Sequence, residues 1–81
     1  MADYQEVLAR VKKVTAEILN LDQSEIDESS QFAYDLDAES IDSIKLVAGF
    51  DEEFDIEMDE EQAVKVQSVG EAVKFIMSYL D

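Results

Sequence analysis

"SIDSIKLVAGFDEEF" (Ser40–Phe54) is the stretch on which the fold turns. At about 100° per residue, Leu46, Val47, Phe50 and Phe54 gather on one side of a helix, as a core stripe does. Ile41, Ile44 and Ala48 fall away from the centre of that stripe, bordered by Lys45, Asp51 and Glu52. The apolar arc is too wide for a helix packed on one side only. Two readings stay open. One is burial among several neighbours, the ordinary fate of a wide arc in a small bundle. The other is a docking strip for a partner, rimmed by acids. Ser40 stands where the helix begins, and the commonest role of a serine there is an N-cap.

Amphipathic helices flank this segment. In "DYQEVLARVKKVTAEILNL" the side chains of Tyr4, Val7, Leu8, Val11, Val14, Ile18 and Leu19 share one arc. Asp3 can cap that helix, with Glu6 three residues on as in a capping box, and it ends near Asn20. Arg10, Lys12 and Lys13 are half of the six basic residues and read as its solvated face. Between residues 21 and 39 the periodicity breaks into a long polar loop, which Ile26 and Phe32 are expected to anchor. Loops of this length inside a small domain are often functional. A short helical piece is expected near residues 59–65, with Ile56 and Met58 turning the chain inward. Ser68 and Glu71 form a second capping box ahead of a last helix, whose Val69, Val73, Ile76 and Leu80 share a face. Tyr4, Tyr34, Phe75 and Tyr79 read as core or core-edge residues, Met58 and Met77 as gap-fillers.

No segment holds strand alternation, no repeat appears and no linker divides the chain. The expected architecture is all-α: a small four-helix bundle, three longer helices and one short, with a long first loop. It is read as one domain over residues 1–81.

Twenty-one acids against six bases give a net charge of −15. Nucleic acid and anionic membranes both need a basic footprint and are poor partners. A protein with a basic patch is favoured by steering. Met1 is followed by a charged amphipathic stretch, not a secretory core, and no run is long enough to span a membrane. The expectation is a cytoplasmic monomer. With no Cys and no His, thiol chemistry by the chain itself and the usual transition-metal sites are excluded. An EF-hand reading of the acid-rich residues 51–61 fails: counted from Asp51, position six is Ile56 where Gly is required, and position twelve is Gln62 where Glu is required.

The same gaps decide what Ser40 can do. Without a His it has no evident base, and Lys45 lies on the wrong side of the helix turn, so Ser40 is not a catalytic nucleophile. A helix N-terminus does favour negative charge. A phosphoester placed on Ser40 by another enzyme would be stabilised there.

"DLDAESIDSIKLVAGFDEEFDIEM" resembles the acyl carrier protein signature, whose usual form is D-L-G-A-D-S-L-D-x-x-E-L followed by an acidic E-E-E-F-x-I stretch. "RVKKVTAEIL" is similar to the first helix of that family and "SSQFAYDL" to the loop before its motif. "EEFDIEMDEEQAVKVQSVGEAV" is similar to the family's region from the third helix into the fourth. The resemblance implies that Ser40 carries a 4′-phosphopantetheine arm, installed from coenzyme A by a phosphopantetheinyl transferase. The arm's thiol would hold an acyl group as a thioester, so the chain would be a carrier and not an enzyme. It also implies that the second helix is read by acyl-transfer and acyl-chain-processing enzymes with basic docking patches. Glu39, Ile41, Asp42, Ile44, Lys45, Ala48, Asp51 and Glu52 would form that surface here, and the bundle core would shelter the acyl chain.

Several positions depart from the signature. Asp37 replaces the usual Gly, Glu39 the usual Asp and Ile41 the usual Leu, while Lys45 stands where an acid is usual and Asp59 where Pro is common. Asp tolerates the left-handed conformation better than most residues, so the loss of Gly at 37 is affordable. Fatty acid synthesis and a specialised polyketide or modified-lipid pathway both stay open as the destination. An unmodified acidic interaction module and an acidic calcium-binding helical protein are the alternatives from other classes.

Overall fold

The computed structural model describes residues 3–80. It comprises α1 (Tyr4–Leu19), a 3-10 turn (Gln23–Glu25), α2 (Ser40–Phe54), α3 (Glu60–Ala63) and α4 (Val69–Leu80). The described residues contain four α-helices, one of them a single turn, and no strand. This is the small helical bundle that the periodicity predicts.

Local chemistry sets the helix ends. The Asp3 carboxylate accepts from the Gln5 N–H at 3.1 Å and opens α1. Asn20 closes α1 in the left-handed region (φ 58°), a conformation Asn tolerates. The Ser68 hydroxyl accepts from the Glu71 N–H at 3.2 Å, so the expected cap of α4 is present. The Asp59 side chain accepts from the Glu61 and Gln62 N–H groups and caps α3.

Val7, Leu8 and Val11 of α1, Leu46, Phe50 and Phe54 of α2, and Val69, Val73 and Ile76 of α4 supply most of the buried core. Gly49 marks the crossing of α1 and α2. A Cβ there would lie 2.6 Å from Ile18 Cδ1 and 3.0 Å from Val14 Cγ1, so the absent side chain lets the two helices approach.

The long loop is tied down at two levels. Ile26 and Leu36 are buried and Phe32 is half-buried, so Leu36 joins the two anchors expected from the sequence. The carbonyls of Glu28 and Ser30 each accept at 2.9 Å from the first N–H groups of α4, those of Gly70 and Val69. Those donors have no partner inside their own helix, so one set of contacts satisfies the helix end and fixes the loop. The Tyr4 hydroxyl donates to the Glu28 carboxylate, which raises the Tyr4 pKa, and adds a third tether.

Two expectations need correction. Tyr34 is 89% exposed and belongs neither to the core nor to its edge. The Asp35 and Leu36 N–H groups both donate to the Gln31 carbonyl, closing a turn that points Phe32 and Leu36 inward. Tyr34, midway between them, faces out. Arg10 and Lys13 are also more than a solvated face, because both pair with Glu53 of α2, at 2.9 and 3.1 Å.

Thr15 is fully buried, and its hydroxyl has no hydrogen-bond partner among the described residues. An unsatisfied buried hydroxyl costs about 1–3 kcal/mol. Thr15→Val keeps the branched shape and removes that cost, so the melting temperature should rise by about 4–8 °C per kcal/mol gained. A melt that stays level or falls would mean that the hydroxyl finds a partner in solution.

Candidate functional site

The start of α2 differs from the sequence expectation in one informative respect. Glu39, not Ser40, is the N-cap residue: it is extended (φ −96°, ψ 172°), and its carbonyl accepts from the Asp42 and Ser43 N–H groups at 3.0 and 3.2 Å. The Asp42 carboxylate reaches back to the Glu39 N–H at 2.9 Å. Ser40 is therefore the first helical residue, and the capping work falls to its neighbours. It is exposed, and its hydroxyl makes no hydrogen bond among the described residues. The N–H groups of Ser40 and Ile41 likewise have no protein acceptor among the described residues, so two donors at the positive end of the helix lie beside that hydroxyl. This chemistry fits a phosphoester.

Asp37, three residues upstream, has φ 58°. The left-handed conformation usually supplied by glycine is thus adopted here by an aspartate. The Ala38 N–H donates to the Phe32 carbonyl at 2.8 Å, which fixes the approach of the loop to α2.

Exposure decides between the two readings of the wide apolar arc. Leu46, Phe50 and Phe54 are buried and Val47 is half-buried, whereas Ile41 and Ile44 are 58% and 68% exposed and Ala48 is exposed. Burial on all sides is excluded. Lys45, Glu39 and Glu52 are exposed beside this strip, while Asp42 and Asp51 are only half-buried and have internal duties. Asp42 holds the Glu39 N–H, and Asp51 accepts from the Met58 N–H at 3.0 Å. Sequence reasoning could not separate the free acids from the committed ones, because both kinds read as surface charge.

Behind α2 lies an apolar cavity of about 50 Å³, whose lining residues the sequence did not single out. Phe32, Leu46, Phe50, Met58, Phe75 and Ile76 contribute to its wall, as do Ser43 and Val47. Ser43 and Val47 follow Ser40 at helical spacings of three and seven residues, so the cavity borders the same side of α2 on which Ser40 begins. No three carboxylates converge to hold a cation among the described residues.

Comparison with known proteins decides what this arrangement belongs to. The family model for the phosphopantetheine attachment site matches residues 9–76. The chain belongs to the acyl carrier protein family.

An acyl carrier protein of Phenylobacterium zucineum (strain HLK1) is 45% identical over 75 residues, covering 93% of this chain and 95% of that protein. Acyl carrier proteins from two strains of Caulobacter vibrioides, NA1000 / CB15N and ATCC 19089 / CIP 103742 / CB 15, are each 45% identical over 71 residues, 88% of this chain and 91% of theirs. Phosphopantetheine is the prosthetic group of this family, and its members are carriers, not enzymes. Membership implies dealings with a transferase and with acyl-processing enzymes in general. The prosthetic group supplies the thiol that a chain without cysteine lacks. Among the described residues no helix is long and apolar enough to cross a membrane.

Proposed function

We propose that Ser40 is the attachment point of the 4′-phosphopantetheine arm and that the chain, as one carrier domain over residues 1–81, shuttles acyl groups as thioesters between cytoplasmic enzymes. The observation that carries this reading is the Ser40 hydroxyl: exposed, first in α2 and, among the described residues, without a partner, as are the two backbone donors beside it. In the transfer, Ser40 Oγ forms the new O–P bond to the phosphopantetheine phosphate of coenzyme A. The P–O bond to the nucleotide portion breaks, and the serine proton passes to a base of the transferase. The ester stays anionic, which suits the helix N-terminus.

The exposed strip of Ile41, Ile44 and Ala48 is the docking surface in this reading, with the exposed acids Glu39 and Glu52 at its rim. Its partners present apolar pockets flanked by basic groups. Asp42 and Asp51 contribute through the shape they hold. Lys45 breaks the acidic run, and a partner with an unrelieved basic patch would meet repulsion there. That favours a specialised acyl pathway over fatty acid synthesis. The apolar cavity supports sheltering of the cargo chain within the bundle, and a single chain suffices for every element of this scheme.

The test is intact mass after incubation with coenzyme A and a broad-specificity phosphopantetheinyl transferase. One arm should add to the parent and none to Ser40→Ala. Equal modification of both chains, or of neither, would overturn the assignment.

A further inference from the structure

The α3 segment forms one wall of the apolar cavity, yet little holds it in place. Glu60–Ala63 is a single turn with no buried residue, and Val64, which also lines the cavity, is 60% exposed. The segment is strung between two fastenings. At its far end the Phe32 N–H donates to the Gln67 carbonyl, and Gln31 pairs with Ser68. At its near end consecutive backbone amides are held by side chains of other helices: Met58 N–H by Asp51 of α2 at 3.0 Å, and Asp59 N–H by the Tyr79 hydroxyl of α4 at 2.9 Å. A proline at position 59 would have no N–H to offer. Tyr79 also meets Phe75 edge to face, with ring centroids 5.3 Å apart, and Phe75 is itself a wall of the cavity. One tyrosine thus touches both the entrance of α3 and the aromatic wall opposite.

We infer that Tyr79 is a positioning residue for the carried chain: its hydrogen bond to the Asp59 amide holds the α3 segment as a lid over the cavity. That bond thereby sets how much of the time an apolar acyl chain is sheltered and how much it is presented. The inference rests on the carrier reading of Ser40. The bond is exposed and is one of several fastenings, so its loss loosens the lid without unfolding the bundle. A cargo chain that pushes Phe75 aside works against the same contact, which couples loading of the cavity to release of α3.

The test compares the parent with Tyr79→Phe, which keeps the ring and removes the hydroxyl. In the unmodified chain, amide exchange at residues 63–66 should rise roughly two- to tenfold, the span of one net hydrogen bond, with no change in α1. In both chains loaded from octanoyl-coenzyme A, cleavage of the thioester by hydroxylamine should accelerate by a similar factor. In an Asp59→Pro background, which lacks both the donor and the carboxylate that caps α3, adding Tyr79→Phe should change neither rate further. Unchanged exchange at residues 63–66, equal cleavage of the two loaded forms, or a full Tyr79→Phe effect in the proline background would each overturn the inference. A failure of Ser40 shows separately, as arm uptake by neither chain in the mass spectrum. The cargo part then falls with the carrier reading, and the exchange rates still decide the fastening.

Discussion

Ile76→Ala should cause the largest loss of stability of any single truncation considered, most marked at low ionic strength. Ile76 is fully buried on α4 and also lines the apolar cavity, so truncation enlarges a void that already exists. Removing a buried Ile side chain costs about 2–5 kcal/mol, the upper end applying where neighbours cannot collapse inward. At 0.05–0.15 kcal/mol per residue, a chain of 81 residues has roughly 4–12 kcal/mol of stability to lose. The net charge of −15 subtracts further through self-repulsion, most strongly where little salt screens it. The melting temperature should drop by at least about 8 °C, and added salt should recover part of the folded signal. Ile76→Val, at about 0.5–1.5 kcal/mol, should fall between parent and alanine. An alanine variant that melts with the parent would show that the region around Ile76 repacks freely.

Arg10→Ala should produce the next largest loss, about 1–2 kcal/mol after allowance for partial exposure. One guanidinium makes three contacts. Its Nε donates to the Glu53 carboxylate at 2.9 Å and its Nη2 to the Glu53 carbonyl at 2.6 Å, and its carbon lies 4.4 Å from the centroid of the Phe54 ring. The carbonyl belongs to the last turn of α2, which has no basic residue of its own. A side chain of α1 therefore satisfies an orphaned acceptor at the negative end of α2. Arg10→Lys keeps the charge but not the fork, and should recover less than half of the loss.

The same cluster sets an acid limit. Hydrogen bonds from Arg10 first, then Lys13, hold the Glu53 pKa below the ordinary carboxylate range. Between the folded and unfolded pKa values the unfolded chain binds more protons, so stability from this group rises with pH across that window. It is complete above the unfolded value, about 4.3, and disappears as pH falls through the lower folded value. Acid also relieves the repulsion of the whole chain, which pushes the other way. The melting difference between parent and Glu53→Gln isolates the local effect, and it should shrink only below about pH 4. A difference that stays constant down to the acid transition would remove Glu53 as a stabilising contact.

Read alone, the sequence determined the helices, the caps at Asp3 and Ser68 and the position of Ser40 at the start of α2, while the N-cap it placed at Ser40 falls on Glu39. Those features depend on periodicity and on contacts within a few residues, which a linear string records. Asp37 is a case in point: aspartate visits the left-handed region more readily than most residues, and Asp37 has φ 58°. Tertiary structure decided what each surface group was free to do. Asp51 and Glu52 are adjacent acids in the sequence, yet one holds the Met58 amide and the other faces solvent. Arg10 and Lys12 read alike as exposed bases, and only the crossing of α1 with α2 commits the first to Glu53. Tyr34 and Tyr79 looked equivalent until the fold placed one on the outside of a turn and the other against the amide of Asp59. Such partners lie tens of residues apart, and their meeting depends on how helices cross, which local pattern does not encode.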